Sequence, residues 1–404
     1  MANDVSPSFE DIWARTQQDV FFKMSVAMIA ADLSFRSTMK SGQVLRRTYR
    51  SVTADDVPEV YTRGSDINDI DLTDTAETLT VNKQFAISFV IDDFDEIQSK
   101  YNTAMNYGED YGVIMKTQID ADVLGEVVNA ANYVDAGDVW GTAWQGITLS
   151  ISNVLNTITS VTKKLVKANV FSENKFGAVS PEFEEIVSLY YGAKVTDLGD
   201  NVAQNGYFKK ISGYMLYSTN NLTNTAVLSL ATQPTADDTV VIQGVTFTFV
   251  ASPTAAGDVD IGASVDATRA NLAALINAPS TTTAWGVALS AANAKKFKAR
   301  VSAVNSDAAD TLTVTYKGAG VLSVSETLTD GTDAWTSTST IQHNVFGIKN
   351  KCTTLVMQKS PSVEVERIQK QFGDRIKNGM LYGLKTFNDN ANYMVDVRLN
   401  ASWF

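Results

Sequence analysis

Among its 404 residues the chain has one histidine and one cysteine, His343 and Cys352. A Cys/His zinc site needs several such ligands, and a thiol–imidazole catalytic pair would require these two to meet. Neither is expected, and His343 reads as a surface or linker residue. A lone cysteine excludes an internal disulfide and suits a reducing compartment. Two acidic runs, Asp66-Ile67-Asn68-Asp69-Ile70-Asp71 and Asp258-Val259-Asp260-Ile261-Gly262, have the look of calcium loops but lack the spacing and closing glutamate of an EF-hand. They read as solvated acidic loops. Gly318-Ala319-Gly320 follows a short strand pattern with no helix after it, so it is no dinucleotide fingerprint. There is no Gly-Lys-Ser/Thr phosphate loop. The expectation is therefore no catalytic residue, no metal and no cofactor, with a hydrolase using the acidic loops as the remote alternative.

The elements that carry these residues are clearer than the chemistry. Leu79, Val81, Phe85, Ile87, Phe89 and Ile91 alternate, interrupted by Lys83, which predicts a strand with one buried face. Asp93 then reads as an N-cap with Glu96 as its capping-box partner. Phe94, Ile97, Tyr101, Met105, Tyr111, Met115, Ile119, Val123 and Val127 recur at helical spacing, predicting a helix of roughly 40 residues and about 60 Å. Val44–Arg50 reads as the outgoing strand of a long hairpin over 41–91, with Pro58, Gly64, Asp66, Asp69, Asp71 and Asp74 at its tip. Phe9, Ile12 and Trp13 mark a short helix near the N-terminus. Residues 146–225 read as α/β, with Ser180-Pro181 starting a helix that Gly192 ends, and with Tyr214–Tyr217 as a buried strand. Tyr393, Val395, Val397 and Leu399 predict a half-buried strand.

Three of these strings and two further segments carry a resemblance. Tyr61-Thr62-Arg63-Gly64-Ser65-Asp66, Leu79-Thr80-Val81-Asn82-Lys83 and Ile91-Asp92-Asp93-Phe94-Asp95-Glu96-Ile97-Gln98 resemble the major capsid proteins of tailed bacteriophages, whose fold was first seen in phage Hong Kong 97. Asn205-Gly206-Tyr207 and Gly213 to Leu222 resemble that family's A-domain strand, and Phe372 to Gly383 its C-terminal region. The resemblance implies an α+β capsid fold. Its parts would be an N-terminal arm (1–40), an extended E-loop hairpin (41–91), a P-domain with a spine helix (92–145), an A-domain (146–231) and a return through both domains (339–404).

The resemblance also implies the function. The chain would self-assemble as hexamers and pentamers into an icosahedral head shell in the host bacterial cytoplasm and end in the virion. Its partners would be a portal and scaffolding or decoration proteins. It would enclose double-stranded DNA without specific binding, and a cellular nanocompartment shell of the same fold is the alternative. The arm, including Phe9, Ile12 and Trp13, would swap onto a neighbour. Arg46, Arg47 and Arg50 would pair with the acids Asp66, Asp69, Asp71 and Asp74 of adjacent subunits, not within one. Some family members join subunits by Lys–Asn isopeptide bonds; Lys83 lies beside the hairpin, but no motif selects an asparagine partner.

Composition agrees with a globular wall. Apolar residues make up 44% and charged residues 19%, and the net charge of −12 argues against binding by phosphate neutralisation. No apolar run is long enough for a membrane span. Residues 232–338 stand apart: they are rich in Thr, Ala, Ser and Asp, and none of the ten methionines falls there. They read as an inserted α+β domain on the outer face. Its elements would be a hairpin turning at Gln243-Gly244, a helix Asp266–Asn277 and strands Arg300–Val304 and Leu312–Tyr316. Its core would be Val245, Phe247, Phe249, Leu272, Leu275, Ile276, Trp285, Val314 and Tyr316. Thr-rich linkers bound it, and excision of 234–336 is expected to leave an assembling chain.

Overall fold

The computed structural model describes residues 26–35, 44–50, 60–64, 66, 74–94, 103–170, 174–194, 210–318, 320–336, 340–369 and 372–401. Phe9, Ile12, Trp13, Asp69, Asp71, Ile97 and Tyr101 lie outside them. Three packed units follow from the chain's apolar patterns.

In the first unit, the helix Thr103–Gly125 lies on a four-stranded sheet. The sheet order is Ala31–Asp32, Thr353–Arg367, Gly373–Lys385 and Lys83–Asp92, with the last three antiparallel. The odd-numbered residues of Lys83–Asp92 face the helix, as the alternation predicts: Phe85 and Ile87 pack with Met115, Ile119, Met380 and Tyr382. Asp93 and Phe94 are helical, and the helix is described again from Thr103. Its 23 residues span about 35 Å. It tightens into a 3-10 turn at Glu126–Asn129 because Asn132–Val134 is claimed by a parallel ladder with Val395–Val397.

The predicted hairpin over 41–91 is divided. Among the described residues Val44–Arg50 pairs only with Asp74–Thr80, from Val44↔Thr80 to Arg50↔Asp74. After Val81-Asn82 the chain joins the four-stranded sheet instead. Asp74 is thus a strand residue opposite Arg50, not part of the tip. Leu79, Val81, Val356 and Phe387 form a small core at the hairpin's foot, with Leu45 and Phe35 against it.

In the second unit, helices Val154–Lys167 and Pro181–Gly192 cover a nine-stranded sheet. Ser180 caps the second helix by accepting from the Phe183 amide, with Pro181 in the first turn. Ile158, Val161, Leu165, Phe183 and Val187 pack on Phe346, Val395 and Val397. Two expectations are corrected here. Met394–Asn400 is not half-buried: it runs between Ile341–Ile348 and Asn132–Val134, and both its faces are covered. Among the described residues Tyr214–Ser218 pairs on one side only, with Lys175–Val179, and beyond Tyr214 it is half-buried.

The third unit occupies 223–336. Every residue expected in the 232–338 core lies in one apolar cluster, with Trp285 at its margin. Gln243 and Gly244 have φ of 51° and 75°, the paired left-handed conformation of a tight hairpin turn between Thr239–Ile242 and Val245–Val250. Ser264 caps the helix Val265–Asn277. A second helix, Ala291–Arg300, has no counterpart in the sequence reading.

This cluster also takes Ala226, Leu228 and Leu230. They belong to the strand Thr223–Ser229, which joins Thr311–Tyr316 on one side and Ile341–Ile348 on the other. The nine-stranded sheet thus runs through both units. The bounding segments are fastened rather than loose: the Asp333 carboxylate accepts from the Ala231 and Thr232 amides at 2.7 and 3.1 Å. Asp238 accepts from Thr235 N at 2.8 Å and from Thr329 Oγ1 at 2.7 Å. Excising 234–336 is therefore expected to give aggregating protein, contrary to the sequence-based expectation. Two fully buried leucines would be uncovered, at about 2–3 kcal/mol each, and Thr223–Ser229 would become an open edge. Making Leu228 and Leu230 polar as well should restore solubility on size exclusion; solubility without that change would show the cluster to be dispensable.

Candidate functional site

No enzyme-like site emerges from the residues singled out for chemistry. His343 is buried, not a surface residue, because it sits between two neighbouring strands. Its Nδ1 donates to the Asp396 carboxylate, 2.9 Å from both oxygens, and its Nε2 is 2.8 Å from Thr225 Oγ1. Arg398 Nε donates to Asp396 Oδ2 at 2.8 Å. The row has the connectivity of a nucleophile relay, but His343 is only 4% exposed, sealed in the sheet. It fastens three adjacent strands. Cys352 is fully buried, and burial pushes its thiol up to about 12, which makes it inert. Asp258 is engaged by the Thr254 and Ala255 amides at 2.9 and 2.7 Å within a strand. Among the described residues no group of three or more His, Cys, Asp or Glu could hold a metal, and no helix is long and apolar enough to cross a membrane.

The hairpin charges divide. Arg47 Nη2 pairs with Asp389 at 2.8 Å, Nη1 donates to Asn390 Oδ1 at 3.2 Å, and the guanidinium lies 5.5 Å from the Phe387 ring. Arg47 is therefore paired within its own chain, which corrects the expectation that it pairs only between subunits: the hairpin's foot needs anchoring to the 387–390 turn. Arg47, Asp389 and Asn390, with Asp32, Lys351 and Tyr393, line a cleft of about 430 Å³ whose charges balance. Arg46 is exposed opposite Thr78, Arg50 lies in register with Asp74, and Asp66 is exposed. Val60 and Tyr61, beyond the paired strands, are exposed apolar residues.

Where the helix's apolar stripe is described, it packs inside the chain. Met115 is buried, Met105 lies within the helix Thr103–Gly125, and the Tyr111 ring is 5.1 Å from Phe89. Phe94 is not on that stripe; it is exposed, edge-to-face with Phe372 at 5.7 Å. Asp93 does not act as the predicted cap. Asp92 Oδ1 accepts from the Phe94 amide, and both Asp93 oxygens are gripped by Arg367, which holds its carboxyl below the usual range.

Residues missed in the sequence hold the unit together. Asp120 is fully buried and accepts from the Val26 and Ala27 amides at 2.7 and 2.6 Å and from Asn221 Nδ2 at 2.8 Å. It ties the N-terminal segment, the long helix and the second unit at one point. Asp122 accepts from Tyr382 Oη at 2.6 Å and pairs with Lys83 at 2.9 Å. Burial, and then the neighbouring carboxylate, push the Tyr382 phenol well above its ordinary value. Lys83 interrupts the apolar alternation in order to reach this acid. The available signal was two aspartates in the run Ile119-Asp120-Ala121-Asp122-Val123-Leu124, buried on every side.

This arrangement recurs in known structures. A chain from Mycobacterium phage Che8 superposes with a TM-score of 0.57 at 14% identity, over 98% of this chain and 97% of that one. The capsid structure of cyanophage P-SCSP1u gives 0.57 at 10% identity, over 98% and 94%. The mature capsid of bacteriophage PhiM1 gives 0.53 at 12%, over 97% and 92%. The chain has a phage-capsid fold. No protein-family model matches the sequence, and no curated protein is similar to it in sequence. The capsid fold therefore persists here with little sequence identity.

Proposed function

We propose that the chain is the major capsid protein of a bacteriophage head, assembling as hexamers and pentamers into an icosahedral shell around double-stranded DNA. The observation that carries this is the capsid fold over nearly the whole of this chain and of its structural neighbours. The mechanism is geometric. A rigid body is built from the helix-covered sheets, a narrow two-stranded hairpin is anchored to it through Arg47, and Val60 and Tyr61 beyond the strands are uncovered. Two paired strands have little stability alone and gain it by lying on another surface. Many such weak contacts, closed by symmetry, add up to a stable wall. The net charge of −12 keeps the wall from adhering to packaged DNA. A portal and scaffolding or decoration proteins would complete the head. The segment around 232–338 is assigned to the outer face, because a folded unit inside would compete with the genome for volume.

The test is assembly. Purified protein, with its scaffolding partner supplied, is expected to give closed shells by negative-stain microscopy and light scattering. A clean monomer under those conditions overturns the reading.

A further inference from the structure

Along Ile341–Ile348 one flank of the strand changes partner. It pairs with Thr223–Thr225 as far as His343, and with Lys175–Ala178 from Val345 onward. Asn344 falls at this seam, and its Oδ1 accepts from the Ser180 amide at 2.8 Å. Gln342 lies directly opposite Asn224 in the ladder. Opposed residues of an antiparallel pair share a face, and so do residues two apart on one strand. The three amides therefore stand together on one side of the sheet. The apolar cores of the second and third units meet there: Leu399 and Val397 lie beside Gln342 and Asn344, and Ala226 lies beyond Asn224.

Asn224 and Asn344 are fully buried, and Gln342 is 7% exposed. Each leaves one buried polar atom without a partner in the protein: Asn224 Oδ1, Gln342 Oε1 and Asn344 Nδ2. For the two asparagines, turning the amide over is no cure. Asn224 Nδ2 is committed to Leu222 O at 3.3 Å and to Gly320 O at 2.9 Å, and Asn344 Oδ1 is committed to Ser180. Asn224 must therefore present an acceptor to the seam, and Asn344 a donor. An unpaired buried polar group is costly, and folds seldom leave several side by side.

We propose that this seam binds one water molecule, held by Asn224, Gln342 and Asn344. The site asks for two donated hydrogen bonds and one accepted one. Water supplies that set: its two hydrogens go to Asn224 Oδ1 and Gln342 Oε1, and one lone pair takes a hydrogen of Asn344 Nδ2. Buried waters typically make about three such bonds. A cation is the wrong complement, because it would meet the Asn344 amide hydrogens as well as the two oxygens. The bridge joins what the ladders leave separate. It ties Ile341–Ile348 through Asn224 to the strand that enters the third unit, and through Asn344 to the Ser180 cap of the second unit's helix. It does not depend on the shell reading.

The test is an experimental map of the full chain, as subunit or as assembly, at a resolution that shows ordered water. A solvent peak is expected within about 2.7–3.2 Å of all three atoms. A map in which the Gln342 amide bonds Asn224 Oδ1 directly, with no peak between the three side chains, overturns the proposal. Gln342→Met keeps the side chain's length and removes the acceptor. In that variant the peak should be lost, and the amide of Ser180 should exchange about tenfold faster, because Asn344 is no longer steadied. A peak that persists unchanged in Gln342→Met, with unchanged Ser180 exchange, also overturns the three-point bridge. Should the variant fail to fold, the map of the parent chain decides alone.

Discussion

Replacing Asp120 with alanine will free the N-terminal segment from the body of the subunit. The carboxylate is the shared acceptor for the amides of Val26 and Ala27 and for the Asn221 side chain, all buried. Removing it leaves three donors without a partner where water cannot replace it. A buried donor left unsatisfied costs about 1–3 kcal/mol, and loss of a buried charged hub on the order of 3–5 kcal/mol. The denaturation midpoint should fall accordingly. Limited proteolysis should cut near residues 26–35 before the rest of the chain opens. Asp120→Asn keeps one acceptor oxygen and turns an amide donor toward donors, so it should lie between. An unchanged midpoint together with an unchanged cleavage pattern would show that the contact is incidental.

Arg269→Met should be comparably damaging, but confined to the 223–336 unit. Arg269 is the largest fully buried side chain described. Nη1 donates to Leu230 O at 2.5 Å, Nε to Asn305 Oδ1 at 3.2 Å, and Nη2 lies 3.2 Å from Asp310 and against Asp266. Methionine fills much of the volume but leaves the Leu230 carbonyl unpaired and the surrounding acids without their cation. Breaking one side of such a set costs on the order of 3–5 kcal/mol. Arg269→Lys should recover only part of this, because an ammonium cannot reproduce the guanidinium fork. Hydrogen exchange should show the loss in Thr311–Tyr316 and Val265–Asn277 while Thr103–Gly125 keeps its protection. Uniform deprotection of the whole chain would instead show that the units open together.

The comparison of sequence with structure follows the range of the interactions. Local signals were read correctly: Ser180-Pro181 starts its helix, Gln243-Gly244 turns its hairpin, and the alternation from Phe85 to Ile91 gives the buried face of its strand. What failed was pairing at a distance. Nothing in Thr223–Ser229 announces that Thr311–Tyr316 will lie beside it, so the sheet's passage into the 232–338 segment was invisible and a boundary was drawn through a shared core. The apolar pattern through Val127 could not show that the last turn, Glu126–Asn129, tightens to 3-10 geometry; the ladder to Val395–Val397 decides that. Asp396 made its strand look half-exposed, since a buried aspartate is legible only with His343 and Arg398 in view. The helix Ala291–Arg300 was missed because it buries little more than Ala294 and Phe297. Asp120 and Asp122 chose partners far away in the sequence, and the exposed candidates on the hairpin were easier to see than these anchors.

The position of Met394–Asn400 inside the nine-stranded sheet bears on when a subunit becomes competent. Among the described residues Asn132–Val134 has its ladder only with Val395–Val397, roughly 260 residues later in synthesis. Ile341–Ile348 likewise gains its long partner only when that strand arrives. Until residue 400 has been made, the earlier half of the chain holds an unfinished sheet, and the helix Val154–Lys167 lacks part of the surface it covers. Closure of so distant a contact is slow. The strand thus acts as a clock: the body that bears the hairpin is completed only when the last strand has been made.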